Sequence, residues 1–190
     1  MNNCTCFAEQ DNTIKIKEPS GVHWVSRFPT SVDVNDLTPD FSSSVTRFIQ
    51  AIRDAGGNVR ISATFRPPER AYLMHYAYAI SRENFDPSKV PEKEGVNIDW
   101  THNGDLASAK KAAQQMDRAY VIKYKPSLTS RHTQRRAIDM TITNIIGKSL
   151  INGSGANVPI KNLKNLFDAG ASFGVIKLVV DEPHWSDDGA

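Results

Sequence analysis

The chain has 190 residues, 39% of them hydrophobic, and a formal net charge of +2. That length supports one domain with a real apolar core, and a charge so near balance excludes the concentrated basic stripe of a nucleic-acid binder. No apolar run approaches the roughly 18 residues of a membrane span, and residues 1–12 lack the basic and apolar regions of a secretory signal, so cytoplasmic synthesis is expected, with any work outside the cell needing another exit route.

Residues 1–37 read as an irregular arm that docks by the patch Val22, Trp24, Val25 and Phe28, ahead of a domain over 38–190. Cys4 and Cys6 are the only cysteines. A chain of this size needs no disulfide staple, so they read as incidental thiols rather than a metal or redox pair. Thr38-Pro39 supplies a helix start, because threonine can cap and proline is tolerated at the first helical position. Phe41, Val45, Phe48, Ile49 and Ile52 follow at helical spacing, and Gly56-Gly57 stops the run.

Residues 58–65 alternate as a strand, with Val59, Ile61 and Ala63 opposed to Arg60, Ser62 and Thr64, and deliver Arg66 to the strand end. Pro67-Pro68 breaks the strand, and 69–82 has the composition of a second helix. Residues 85–104 carry prolines, glycines and amides without a period, a long excursion expected to border a substrate groove. Asp105 caps a third helix to about Tyr120, with Ala109, Ala112, Ala113, Met116 and Ala119 on its apolar side.

Beyond Pro126, Ile138, Met140 and Ile142 share one strand face while Ala137, Asp139 and Thr141 share the other. Residues 147–155 read as a turn-rich loop, 158–169 as a fourth helix carrying Leu163, Leu166 and Phe167, and 175–180 as a short apolar strand ending near His184. The expected class is α+β, a small mostly antiparallel sheet flanked by helices, with no internal repeat.

Two segments carry candidate chemistry: Ser130-Arg131-His132-Thr133-Gln134-Arg135-Arg136-Ala137-Ile138-Asp139 and Asp181-Glu182-Pro183-His184-Trp185. His132, Asp139 and His184 are the residue types and number that a catalytic zinc takes, leaving a fourth position for water. A lone histidine is ordinarily structural; the constellation changes that weighting. Asp181, three residues before His184, is a candidate general base beside the alternative acid Glu182. Lys123, Lys125, Arg131, Arg135 and Arg136 form a local basic cluster, read either as a solvated surface or as guidance for anionic peptides. Trp185 is either a cleft wall or core, and His23, His75 and His102 have no partners in these segments. No phosphate-binding glycine loop, nucleophile elbow or His-Glu-x-x-His helix is present.

The pattern Ser130-x-His132-x-x-x-x-Ala137-x-Asp139, then Asp181-x-Pro183-His184-Trp185, resembles the zinc D-alanyl-D-alanine carboxypeptidases and the L-alanyl-D-glutamate endopeptidases of phage endolysins, whose fold hedgehog signalling domains share. Ser62-Ala63-Thr64-Phe65-Arg66 is similar to that family's Ser-Gly-Tyr-Arg stretch, and the three matches span residues 62–185 in the family's order. Arg135 stands where the family has glycine, so the turn after His132 must accommodate a side chain.

The resemblance implies one zinc ion on His132, Asp139 and His184, with Asp181 as the base at the family's spacing and Arg66 stabilising the oxyanion. Ser130 is implied as a supporting or substrate-bonding residue, with a purely structural role left open. It further implies a monomeric peptidoglycan peptidase that cleaves stem peptides at the cell wall, of the endolysin kind. A D,D- or L,D-carboxypeptidase, a secreted antibacterial effector on the same polymer, and a non-catalytic zinc-binding module are the alternatives. Neither nucleic acid nor stable membrane insertion is expected.

Overall fold

The computed structural model describes residues 16–190; Cys4 and Cys6 lie outside them. The architecture is α+β. A four-stranded antiparallel sheet runs in the order β2 (Asn58–Ala63), β4 (Ala137–Thr143), β8 (His184–Ser186), β7 (Ile176–Lys177), and two small two-stranded sheets accompany it. Four helices complete it: α1 (Pro39–Asp54), α2 (Pro68–Arg82), α3 (Leu106–Tyr120) and α4 (Leu163–Ser172). Among the described residues no helix is long and apolar enough to cross a membrane.

Helix α1 begins and ends where its punctuation requires, and Phe41, Val45, Phe48, Ile49 and Ile52 are all buried. They pack with Ile138 and Met140 of β4, Trp185 of β8 and Leu166 of α4 into one apolar core. Trp185 is therefore core, in contact with Phe48 and Phe167. A second core joins α2 and α3 to Trp24, Ile98 and Trp100. The described part of the N-terminal arm docks there: Trp24 is buried, while Val22 is exposed. Its β1 (Glu18–Pro19) pairs in parallel with β3 (Ile98–Asp99).

Asp105 caps α3 by accepting from the backbone N–H groups of Ala107 and Ser108. Ala119 faces solvent rather than the core. The buried position on that part of the helix belongs to Asp117, whose carboxylate accepts from the Arg82 fork of α2 at 2.8 and 3.0 Å.

Three expectations in the last third of the chain are corrected. Residues 147–155 do not form a plain loop: Lys148–Ile151 is β5, paired antiparallel with β6 (Asn157–Ile160) across a turn in which Asn152 Oδ1 accepts from the N–H groups of Ser154 and Ala156. Helix α4 consequently starts at Leu163, where Asn162 caps it, and not at Val158. The strand expected over 175–180 ends after Lys177, and Val179 and Val180 are 72% and 91% exposed. His184 thus belongs to a separate strand, β8, reached by a turn.

Candidate metal centre

Strand β4 brings the site together because its alternation separates two functions. Asp139 pairs directly with His184 across β4 and β8, so the two side chains share a face, while Ile138 pairs with Trp185 on the opposite, core face. On the other side of β4 the register with β2 shifts by one residue between Ile61 and Ala63, which places Ala63 opposite Asp139. Such a bulge re-aims the chain beyond it. Here it turns Thr64 and Arg66 towards His132: the Thr64 carbonyl accepts from His132 Nδ1 at 2.7 Å, and the Arg66 N–H donates to the His132 carbonyl at 3.2 Å. The strand expected to reach residue 65 therefore ends at Ala63.

His132 sits on a turn built by its own segment. Ser130 and Thr133 hold it reciprocally, with the Ser130 N–H donating to Thr133 Oγ1 at 2.9 Å and the Thr133 hydroxyl donating to the Ser130 carbonyl at 2.8 Å. The turn closes at Arg135, whose φ of 62° is left-handed. Glycine adopts that conformation freely, whereas a side chain there costs about 1 kcal/mol. The Arg135 guanidinium offsets that cost by lying 4.1 Å from the Phe65 ring centroid and donating to the Asp36 carbonyl at 3.2 Å.

Three ligating atoms converge. His132 Nε2 lies 3.1 Å from both Asp139 Oδ1 and His184 Nδ1, and His184 Nδ1 lies 3.2 Å from Asp139 Oδ1. His132 Nδ1 faces a carbonyl that only accepts, so it carries the ring proton and leaves a lone pair on Nε2. His184 Nε2 likewise faces the main-chain oxygen of Ala190 at 3.2 Å, another group that only accepts, which leaves its lone pair on Nδ1. The triangle is then made of three acceptors. A second proton on one ring relieves part of that conflict; a cation at the centre satisfies all three at once.

Donors about 2.0–2.1 Å from a tetrahedral ion lie roughly 3.4 Å apart, within a few tenths of an ångström of the observed sides. The outer nitrogen of each histidine bonds to a main-chain oxygen, the arrangement that fixes ring tautomers at metal sites. His132, Asp139 and His184 can therefore hold a metal ion. Burial works to raise the Asp139 pKa; in the metal-free protein, protons on the inner ring nitrogens of His132 and His184 stand where a cation would, and their hydrogen bonds and charge outweigh burial and hold the carboxyl below its usual range.

The triangle opens on a cleft of about 430 Å³ whose walls include all six residues singled out from sequence: Arg66, Ser130, His132, Asp139, Asp181 and His184. Glu182 instead lines a separate cavity with Met140 and Trp185. The turn carrying Asp181 is pinned by Lys177, whose ammonium donates to the carbonyls of Leu178, Asp181 and His184 at 2.5, 2.6 and 3.1 Å. Burial disfavours the charged form of Arg66, and Asp139 and Asp181 counteract that. Its Nε is buried without a partner among the described residues.

The excursion over 85–104 does not border this cleft; its residues line a different cavity of about 580 Å³ beside Tyr72. The basic cluster is largely engaged rather than free: Lys125 pairs with Glu83, Arg131 with Asp188 and Arg136 with Asp187. His23, His75 and His102 lie elsewhere, bonded to Glu18, the Pro126 carbonyl and Ser20. The main-chain oxygens of Thr64 and Ala190 were not legible beforehand, since a backbone acceptor leaves no mark on residue type. Neither a scan against protein-family models nor a search of curated proteins returns a match to this chain.

Proposed function

We propose that this protein is a zinc-dependent peptidoglycan peptidase of hedgehog-like fold, cleaving an internal amide bond of the stem peptide in the manner of a phage endolysin. The observation that carries the reading is the triangle of three acceptors opening on a cleft that Arg66 and Asp181 also line. A bound zinc supplies Lewis-acid polarisation and brings the pKa of water towards about 7.

The chain's own residues do the rest. Asp181, exposed at the cleft wall, takes the proton from the attacking water and returns it to the leaving amine. Arg66 is tethered through its backbone to the His132 turn, so its guanidinium is held ready to donate to the oxyanion that develops on the scissile carbonyl. The turn clasp keeps Ser130 at the edge of the same cleft.

Endopeptidase action is favoured over removal of a terminal residue by the state of the arginines. A carboxypeptidase has to hold the terminal carboxylate as well as the oxyanion, and a free guanidinium is the strongest side-chain partner for a carboxylate. Arg131 is already held by Asp188 and donates to Gln134 Oε1 at 2.7 Å. That leaves Arg66 as the cleft guanidinium outside any ion pair among the described residues. The substrate class rests on the three motif segments that resemble the peptidoglycan peptidases.

Digestion of purified peptidoglycan by zinc-loaded protein, with mass spectrometry of the new termini, tests this. Internal stem-peptide cleavage that stops on chelation is expected. Release of terminal D-alanine alone would replace the endopeptidase with a carboxypeptidase, and an intact polymer would leave a zinc-binding module.

A further inference from the structure

The chain beyond β8 folds back on the centre, and one side chain organises it. Asp188 Oδ1 accepts from Arg131 Nε at 3.1 Å, from the Ala190 N–H at 3.2 Å and from the Ser186 hydroxyl at 3.3 Å, and Oδ2 accepts from Arg131 Nη2. Ser186 is fully buried, and its Oγ in turn accepts from the Gly189 N–H at 2.8 Å. A parallel clasp joins the other end of the histidine turn, where Arg136 Nε donates to Asp187 and the Asp187 N–H donates to the Arg136 carbonyl. The turn between the clasps is closed by the Arg136 N–H donating to the Arg131 carbonyl at 2.8 Å.

Asp188 therefore touches both ligand-bearing segments. Through Arg131 it grips the residue before His132. Through Ala190 it places the main-chain oxygen to which His184 Nε2 donates, the bond that leaves Nδ1 facing Asp139 and His132. We propose that Asp188 is a positioning residue for the metal centre, fixing the tautomer and aim of His184 through Ala190 while clamping the His132 turn through Arg131. The proposal rests on the reading of His132, Asp139 and His184 as metal ligands.

Exposed ion pairs contribute little to global stability, so the effect of Asp188 appears in metal binding rather than in folding. Groups that orient ligating histidines typically change metal affinity by about 10- to 100-fold when removed. Asp188 acts at one further remove, so the Asp188→Ala variant is expected to bind zinc about tenfold more weakly, at the low end of that range.

The experiment is competition for zinc against a chelator of known affinity, on wild type, Asp188→Ala, Arg131→Lys and the control Asp168→Ala, which removes an ordinary exposed pair with Lys164. Melting of the chelated proteins and the visible spectrum of the cobalt-loaded forms are read alongside. The expected result is weaker zinc binding and an altered cobalt spectrum in Asp188→Ala and Arg131→Lys, with wild-type behaviour in Asp168→Ala and little change in melting of the chelated chains. Zinc affinity and cobalt spectrum unchanged in Asp188→Ala would overturn the proposal. If Asp188→Ala fails to fold, Arg131→Lys carries the test, because it keeps the charge and loses the fork, and unchanged affinity there overturns the proposal equally. A wild type that binds no zinc would instead remove the metal centre itself.

Discussion

Ile138 and Met140, on one face of β4, are 0% and 2% exposed against α1, Leu166 and Trp185, while Asp139 between them faces His132 and His184 on the other. The first face packs into the apolar core, and its burial favours the fold. The second gathers two imidazole nitrogens and a carboxylate oxygen within 3.2 Å of one another, a set that can hold a cation. A strand's two-residue period lets the packed face hold the polar one in place. The same division extends to β8, where Trp185 serves the core and His184 the centre. Substitutions on the two faces should therefore fail in different assays.

The largest effect is expected on the chemical face without any loss of fold. Asp181→Ala should lower peptidoglycan hydrolysis by about 10²- to 10⁴-fold, the usual contribution of a general base, with zinc content and melting as in wild type. Turnover within a few-fold of wild type would transfer the base role elsewhere.

On the core face, Ile138→Ala should cost about 2–5 kcal/mol of unfolding free energy in denaturant titrations, by a similar amount with or without chelator. Asp139→Ala should show a different signature: whatever it costs the chelated chain, it also loses the stabilisation that added zinc gives to wild type. If both variants respond alike to zinc, the division between the faces is wrong.

Acid sharpens the comparison further. In the metal-free protein Asp139 is held below its usual range, so its stabilising contribution is complete above its unfolded pKa of ~3.9 and is lost as pH falls through the lower folded value. Asp139→Asn should flatten that acid limb in melting-against-pH curves. Coincident curves below about pH 4 would show that the histidines do not hold the carboxylate.

The smallest effect is at Arg135. Exchange for glycine relieves a left-handed backbone worth about 1 kcal/mol but gives up the contact with Phe65, worth roughly 0.5–1 kcal/mol, so Arg135→Gly should melt close to wild type. Arg135→Ala keeps the strain and loses the contact, and should be the less stable of the two by calorimetry. The reverse order would place the strain elsewhere.

The parts of the fold that were legible in the sequence are those punctuated locally. Thr38-Pro39 and Gly56-Gly57 bracket α1, and Asp105 starts α3. The hairpin of β5 and β6 was hidden because Gly147, Gly153, Gly155 and Pro159 suit a loop equally well, and Pro159 is tolerated in a strand only where its missing N–H costs little. Val179 and Val180 misled for a related reason: an apolar pair signals a strand only if something covers it, and here they are exposed on a turn that Lys177 pins from below.

The three candidate ligands were legible because residue type and spacing carry them. What orients them was not. The Thr64 and Ala190 main-chain oxygens, the bulge at Ala63 and the clasps from Asp187 and Asp188 depend on contacts across the chain rather than on any local pattern. Position 135 offers an intermediate case. Its φ of 62° is the left-handed conformation that glycine adopts freely, and here an arginine carries it.

The most direct measurement is the zinc content of the purified protein by elemental analysis after removal of unbound metal, for wild type and His132→Ala side by side. One zinc per wild-type chain and almost none in a folded His132→Ala chain is the predicted result. A folded wild type that retains no zinc, or a His132→Ala variant that retains it fully, would contradict the centre built on His132, Asp139 and His184.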